Sequence, residues 1–142
     1  MSRLLEESRE LIEANAFANH NHIVVEDIQP DFARVTLDIV PDSLNLRGFV
    51  HGGALFTLAD VCSGMTARTD GRYYVTSQAT ANFVRGAKEG KLTATSRVVH
   101  RGKTSCLIEV EIRDDADKLV YQGSCTYFCI TPEGGQDPAL KK

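Results

Sequence analysis

The sequence predicts an α+β fold in a single domain spanning residues 1–142, a long central helix against one antiparallel β-sheet, with a further helix at the N-terminus. Three observations predict it. Apolar residues recur at helical spacing at the start of the chain and again from about Gly52 to Thr69, and alternate with polar residues through most of the rest. Turn residues separate the alternating runs at hairpin spacing. The central helix carries almost no charge: between Arg47 and Arg68 only His51 and Asp60 are ionisable near neutrality, so both of its faces need a cover.

Residues 3–18 read as an amphipathic helix, with Leu4, Leu5, Leu11 and Ile12 as its apolar stripe. A strand follows over His22 to Gln29, then a turn at Pro30-Asp31. Ala33, Val35, Leu37 and Ile39 next alternate with Arg34, Thr36 and Asp38, the mark of a strand with one buried face. Pro41-Asp42 opens a loop into the central helix. After Asp70-Gly71 come four strands, Tyr74 to Val84, Lys91 to His100, Thr104 to Arg113 and Leu119 to Ile130. The last three are joined at Arg101-Gly102 and at 114–118. Residues 132–142 read as a loose polar tail.

Composition narrows the function. A formal net charge of −3 gives no reason to expect nucleic acid or an anionic membrane as partner. The N-terminus carries acids where a signal peptide needs an apolar stretch, and no apolar run approaches the roughly 20 residues of a membrane span. A cytoplasmic protein is expected. Cys62, Cys106, Cys125 and Cys129 form no CxxC pair and the four histidines no paired spacing, so no metal site and no cofactor are expected. The cysteines read as reduced core residues.

Within the central helix Leu55, Leu58, Ala59 and Cys62 point one way, toward the sheet, while Gly53, Thr57, Asp60, Gly64 and Ala67 share the other side. A second copy of the chain is the simplest cover for that small, nearly uncharged stripe. No Ser, Thr, Asp or Asn precedes the helix to cap it, so its first N–H groups are expected to be free, at the positive end of the helix dipole. Gly52 and Gly53 let a ligand approach that backbone. Asp60 is rare in such a setting unless paired or functional. It lies nine residues from His51, about 13.5 Å along a helix, so the two form no dyad within one chain. Antiparallel helices across a two-fold axis would bring Asp60 of one copy near Gly52 of the other. There Asp60 either does chemistry or caps the partner's helix.

The combination Asn45-x-x-Gly48-x-x-His51-Gly52-Gly53, Leu58-Ala59-Asp60, Val75-Thr76 and Asn82-Phe83 resembles the hotdog-fold thioesterases of the phenylacetate-degradation (PaaI-like) type, over about residues 20–131. The resemblance implies a hotdog fold, a curved antiparallel sheet wrapped around the long helix. It also implies an acyl-CoA substrate and a homodimer with a shared site, with a homotetramer expected beyond it. Carried onto this chain, the Gly52 N–H holds the thioester oxygen with Gly53 beside it, Asn45 orients the carbonyl and His51 positions. Asp60 of the other copy acts as general base or as nucleophile, and Thr76, or Ser77 one register on, positions water. One departure is Val84 where relatives often have Pro after Asn-Phe.

Residues 84–104 hold six basic residues and one acid, a local patch suited to a phosphorylated ligand. Arg85, Arg101 and Lys103 are the candidate CoA contacts. Two other functions compete. A non-catalytic acyl-CoA binding or sensing protein would keep the site without turnover, yet too few residues precede the first strand for an output module. A hydratase or dehydratase of this fold needs Asp-x-Asn-Pro-x-His, which Asp42, Asn45 and His51 do not match in spacing. The acyl group stays open.

Overall fold

A computed structural model describes residues 2–135. The N-terminal helical run is broken in two, Arg3–Glu13 (α1) and Ala16–His20 (α2), rather than continuous over 3–18. Asn15 causes the break. Its Oδ1 accepts from the Ala18 N–H at 3.0 Å and so starts a new helix, just as Ser2 starts α1 by accepting from the Leu5 N–H at 3.1 Å. Ile12 and Ala18 anchor the pair to the core.

The remaining elements are Ile23–Gln29 (β1), Phe32–Asp38 (β2), Gly52–Ala67 (α3), Tyr74–Phe83 (β3), Lys91–Arg101 (β4), Ser105–Arg113 (β5) and Leu119–Cys129 (β6). The strands form one six-stranded sheet in the order β1-β2-β4-β5-β6-β3, antiparallel throughout. Its register slips at Val25/Asp27, Thr76/Gln78, Val98/His100 and Ile112/Arg113. Such bulges raise local twist and bend a sheet, which lets this one curve around α3.

The core is the contact between α3 and the concave face of the sheet. Ala54, Leu55, Leu58, Ala59 and Cys62 meet the inward residues of the strands, among them Val35, Leu37, Leu92, Ala94, Ile108 and Val110. Leu58 is fully enclosed, worth about 1.5–3 kcal/mol for such a side chain. The open side of α3 carries Gly53, Phe56, Thr57, Asp60 and Gly64. Ala67 was expected there and is instead fully buried. Its end of the helix tightens into a 3-10 turn over Arg68–Asp70 and is covered by Arg101, which donates to the Ala67 carbonyl.

All four cysteines are free and buried. Burial pushes the Cys62 thiol up to about 12. The tail expected over 132–142 lies, from 136 on, outside the described residues. Among those described, no helix is long and apolar enough to cross a membrane. The two sheet edges differ. β1 is backed by α1, whereas β3 is exposed over nearly its whole length, Val75 and Phe83 included, and no described strand pairs with its outer side.

Candidate active site

The loop before α3 is built around Asn45. Its Oδ1 accepts from the main-chain N–H groups of Arg47 at 2.9 Å and Phe49 at 3.1 Å, and Gly48 turns the chain at φ +82°. The side-chain oxygen is therefore spent on the loop, while the Asn45 amide Nδ2 has no acceptor among the described residues.

At the helix start the expectation of several free N–H groups needs correction. His51 is the cap: its Nδ1 accepts from the Gly53 N–H at 2.8 Å, and its carbonyl accepts from Ala54 and Leu55. An imidazole with an accepting Nδ1 does the work that Ser or Asp usually does. Gly53 thus offers no donor. A Cβ on it would sit 3.0 Å from that nitrogen. The Gly52 N–H, by contrast, has no acceptor among the described residues. A Cβ at Gly52 would stand 3.2 Å from the Phe83 ring, so the bare residue keeps that ring close to the free donor.

Two turns further along α3, Asp60 is half-buried. The Thr76 hydroxyl of β3 donates to its Oδ1 at 2.8 Å. The Tyr127 hydroxyl of β6 also reaches Oδ1, at 2.7 Å, and the Asp60 main-chain carbonyl at 2.9 Å. Asp60 Oδ2 has no donor among the described residues. Burial first, then the Asp60 charge, hold the Tyr127 phenol far above its ordinary value, so it remains a protonated donor. Tyr127 is the participant that sequence reasoning missed. The available signal was a Tyr at an inward position of β6, where a buried phenol usually takes a partner.

An open cleft of about 320 Å³ lies beside the helix start, walled by Asn45, Phe49, Gly52, Leu55, Phe83 and Arg85. Phe49, Leu55 and Phe83 make the wall largely apolar, and the Gly52 backbone, the Asn45 amide and Arg85 are its polar groups. Two neighbours pack on Phe49: Lys88 Nζ lies 4.7 Å from its ring centre, and bare Gly86 lies against the ring. Gly52 and Asp60 of one chain are eight residues apart on α3, about 12 Å, so a group held at Gly52 is out of reach of the same chain's carboxylate.

The other candidates fall in different places. Ser77 sits on the β3 bulge and donates to the Thr126 carbonyl at 3.0 Å rather than to Asp60. Arg85 is exposed on the cleft rim. Lys103 is exposed and pairs with Glu133 at 3.3 Å. Arg101, expected as a CoA contact, is occupied inside the molecule. Its guanidinium donates to the Ala67 carbonyl (2.8 Å), the Tyr74 hydroxyl (2.9 Å) and Asp31 (2.9 Å), and pairs with Asp70 at 2.9 Å. With both terminal nitrogens committed to these partners, the two-pronged face that would grip a phosphate is already taken. Among the described residues no cluster of His, Cys, Asp and Glu could hold a metal ion.

Taken together, these groups form a carboxylate held by two hydroxyls and, on the same helix, an unpaired N–H facing a partly apolar cleft. Such parts suit attack on a carbonyl whose oxygen gains charge. Comparison with known proteins agrees. The sequence matches the thioesterase superfamily over residues 47–121. The acyl-coenzyme A thioesterase PaaI of Escherichia coli K12 is 33% identical over 111 residues, 78% of this chain and 79% of that one. The structure of the E. coli PaaI protein from the phenylacetic acid degradation operon has a TM-score of 0.84 at 30% identity, covering 91% of this chain and 95% of that one. A hypothetical thioesterase from Streptococcus pneumoniae TIGR4, crystallised with coenzyme A, has a TM-score of 0.81 at 29% identity, covering 90% and 98%.

Proposed function

The chain belongs to the thioesterase superfamily and is a thioester hydrolase of hotdog fold, and from that premise we propose that it hydrolyses acyl-CoA at a site shared between two copies. The observation that carries the reading is the pairing of Thr76 with Asp60, on a helix whose own free donor at Gly52 is about 12 Å away. Two α3 helices packed antiparallel through the stripe Gly53, Phe56, Thr57, Asp60 and Gly64 put one copy's carboxylate beside the other copy's Gly52. The bare edge of β3 supports the same assembly, since an unpaired edge strand is a template for another strand.

In this reading the thioester carbonyl accepts from the Gly52 N–H, where the helix dipole adds positive potential, and from the Asn45 amide. His51 keeps that helix start in shape through its bond to Gly53. Asp60 of the other copy takes a proton from water as it attacks the acyl carbon, and Thr76 steadies both. The acyl group lies in the cleft against Phe49, Leu55 and Phe83. Arg85 and Lys103 meet the CoA phosphates, and Arg101 has no such role. Carboxylate assistance of this type is worth roughly 10²- to 10⁴-fold.

Thiol release from a panel of acyl-CoA substrates, wild type beside Asp60→Asn, tests the reading. The expected result is turnover that falls at least roughly 10²-fold in the variant. Wild-type protein that binds CoA and releases no thiol from any substrate would favour the binding protein instead.

A further inference from the structure

Tyr127 and Tyr121 sit six residues apart on β6, both facing inward and both almost wholly buried. Their hydroxyls fare differently. The Tyr121 hydroxyl has no partner among the described residues. The Tyr127 hydroxyl lies 2.7 Å from Asp60 Oδ1.

We propose that Tyr127 is a positioning residue for the Asp60 carboxylate: together with Thr76 it holds Oδ1 and so leaves Oδ2 as the oxygen that takes the proton from the attacking water. The inference rests on the reading of Asp60 as general base. An Asp carboxylate on its own turns broadly about its last torsion. Here two hydroxyls from two different strands, Thr76 on β3 and Tyr127 on β6, converge on the same oxygen at 2.8 and 2.7 Å. Two donors set the plane of the carboxylate and stabilise charge on Oδ1. The unbonded oxygen is left as the better proton acceptor. The second contact of Tyr127, to the Asp60 main-chain carbonyl at 2.9 Å, ties the phenol to the backbone that carries the carboxylate.

The step balances without any further reagent. An O–H bond of water breaks as its oxygen bonds to the acyl carbon, and the proton goes to Oδ2. The C–S bond then breaks, and the same proton leaves with the thiolate.

Tyr127→Phe keeps the ring and removes only the donor. The expected result is a kcat lower by roughly 10- to 100-fold, the range for one hydrogen bond to a charged group. KM should stay within about twofold, since the bond acts in the chemical step and not in binding. Thr76→Val should lower kcat similarly. The double variant should differ from the product of the two single losses, because both donors serve one oxygen. An unchanged kcat in folded Tyr127→Phe would overturn the proposal, and so would a purely multiplicative double loss. If the wild type hydrolyses no acyl-CoA, the reading of Asp60 fails separately. The crystal structure of Tyr127→Phe then decides the positioning claim: a turned carboxylate supports it, and one left in place rejects it.

Discussion

Asp60 has one oxygen held and one bare, and much of the local chemistry follows from how its neighbours divide that labour. Asp60 and Gly52 stood out in the sequence because each breaks a local expectation, a carboxylate in an uncharged helix and glycines at a helix start, whereas Thr76, with Ser77 as the alternative, came only from the family resemblance. Two features were not legible. His51 caps through a ring nitrogen, which a search for Ser, Thr, Asp or Asn passes over, so the Gly53 donor was counted as free when it is bonded. Tyr127 is 67 residues from Asp60, and only the strand order brings them together. The cap makes a prediction at this scale. His51→Ala should lower unfolding free energy by about 0.5–2 kcal/mol in denaturant titration, the ordinary worth of a cap.

At the scale of elements, strand limits were read to within a residue or two because alternation is strong in β2 and β5. The N-terminal helix was misread because Asn15 looks like any polar position until its side chain turns onto the Ala18 N–H. Arg101 was misread for a related reason, since charge in a hairpin says nothing about whether a carbonyl and two acids wait nearby. The structure makes it the clamp on the C-terminal end of α3. Arg101→Ala should therefore cost stability, roughly 2–4 kcal/mol for a largely buried group bonded through both terminal nitrogens, while KM for acyl-CoA stays near wild type.

Asp70 in the same cluster gives a pH dependence. Burial pushes its carboxyl up, but hydrogen bonds from Tyr74 and Arg72 and the Arg101 charge outweigh that and hold it below its ordinary value of 3.8. With a folded value below the unfolded one, its contribution is fully present above about 3.8 and is lost as pH falls through the depressed folded value. Melting temperature measured from pH 7 down to pH 2 should fall in that window, and Asp70→Asn should flatten the fall. Gly123 tests the other side of the sheet. A Cβ there would land on the Thr80 carbonyl oxygen of β3. Gly123→Ala should thus part β3 from β6 and destabilise by about 1–3 kcal/mol or more, read as amide exchange rising in β3 before the rest of the sheet.

For the whole molecule, the sequence yielded the element order and the resemblance a wrapped antiparallel sheet, while the strand order came only with the structure. β3 crosses to pair with β6 at the far edge, leaving that edge bare beside the uncovered face of α3. Edge and face are continuous through the Thr76–Asp60 bond, which joins the two. In the proposed assembly a second copy laid across both brings its Gly52 to this Asp60.

Co-expression of two inactive variants tests that claim most directly. Asp60→Asn lacks the base. Gly52→Pro lacks the free N–H, at a first helical position whose backbone proline accepts, with the Phe83 ring, 3.2 Å from a Cβ there, having to move aside. Each alone should be nearly inactive. In random dimers about half are mixed, and each mixed dimer holds one intact site of two, so the purified mixture should recover about a quarter of wild-type turnover. A mixture that forms mixed dimers, verified by differential tags, and stays as inactive as its parents would contradict the shared site.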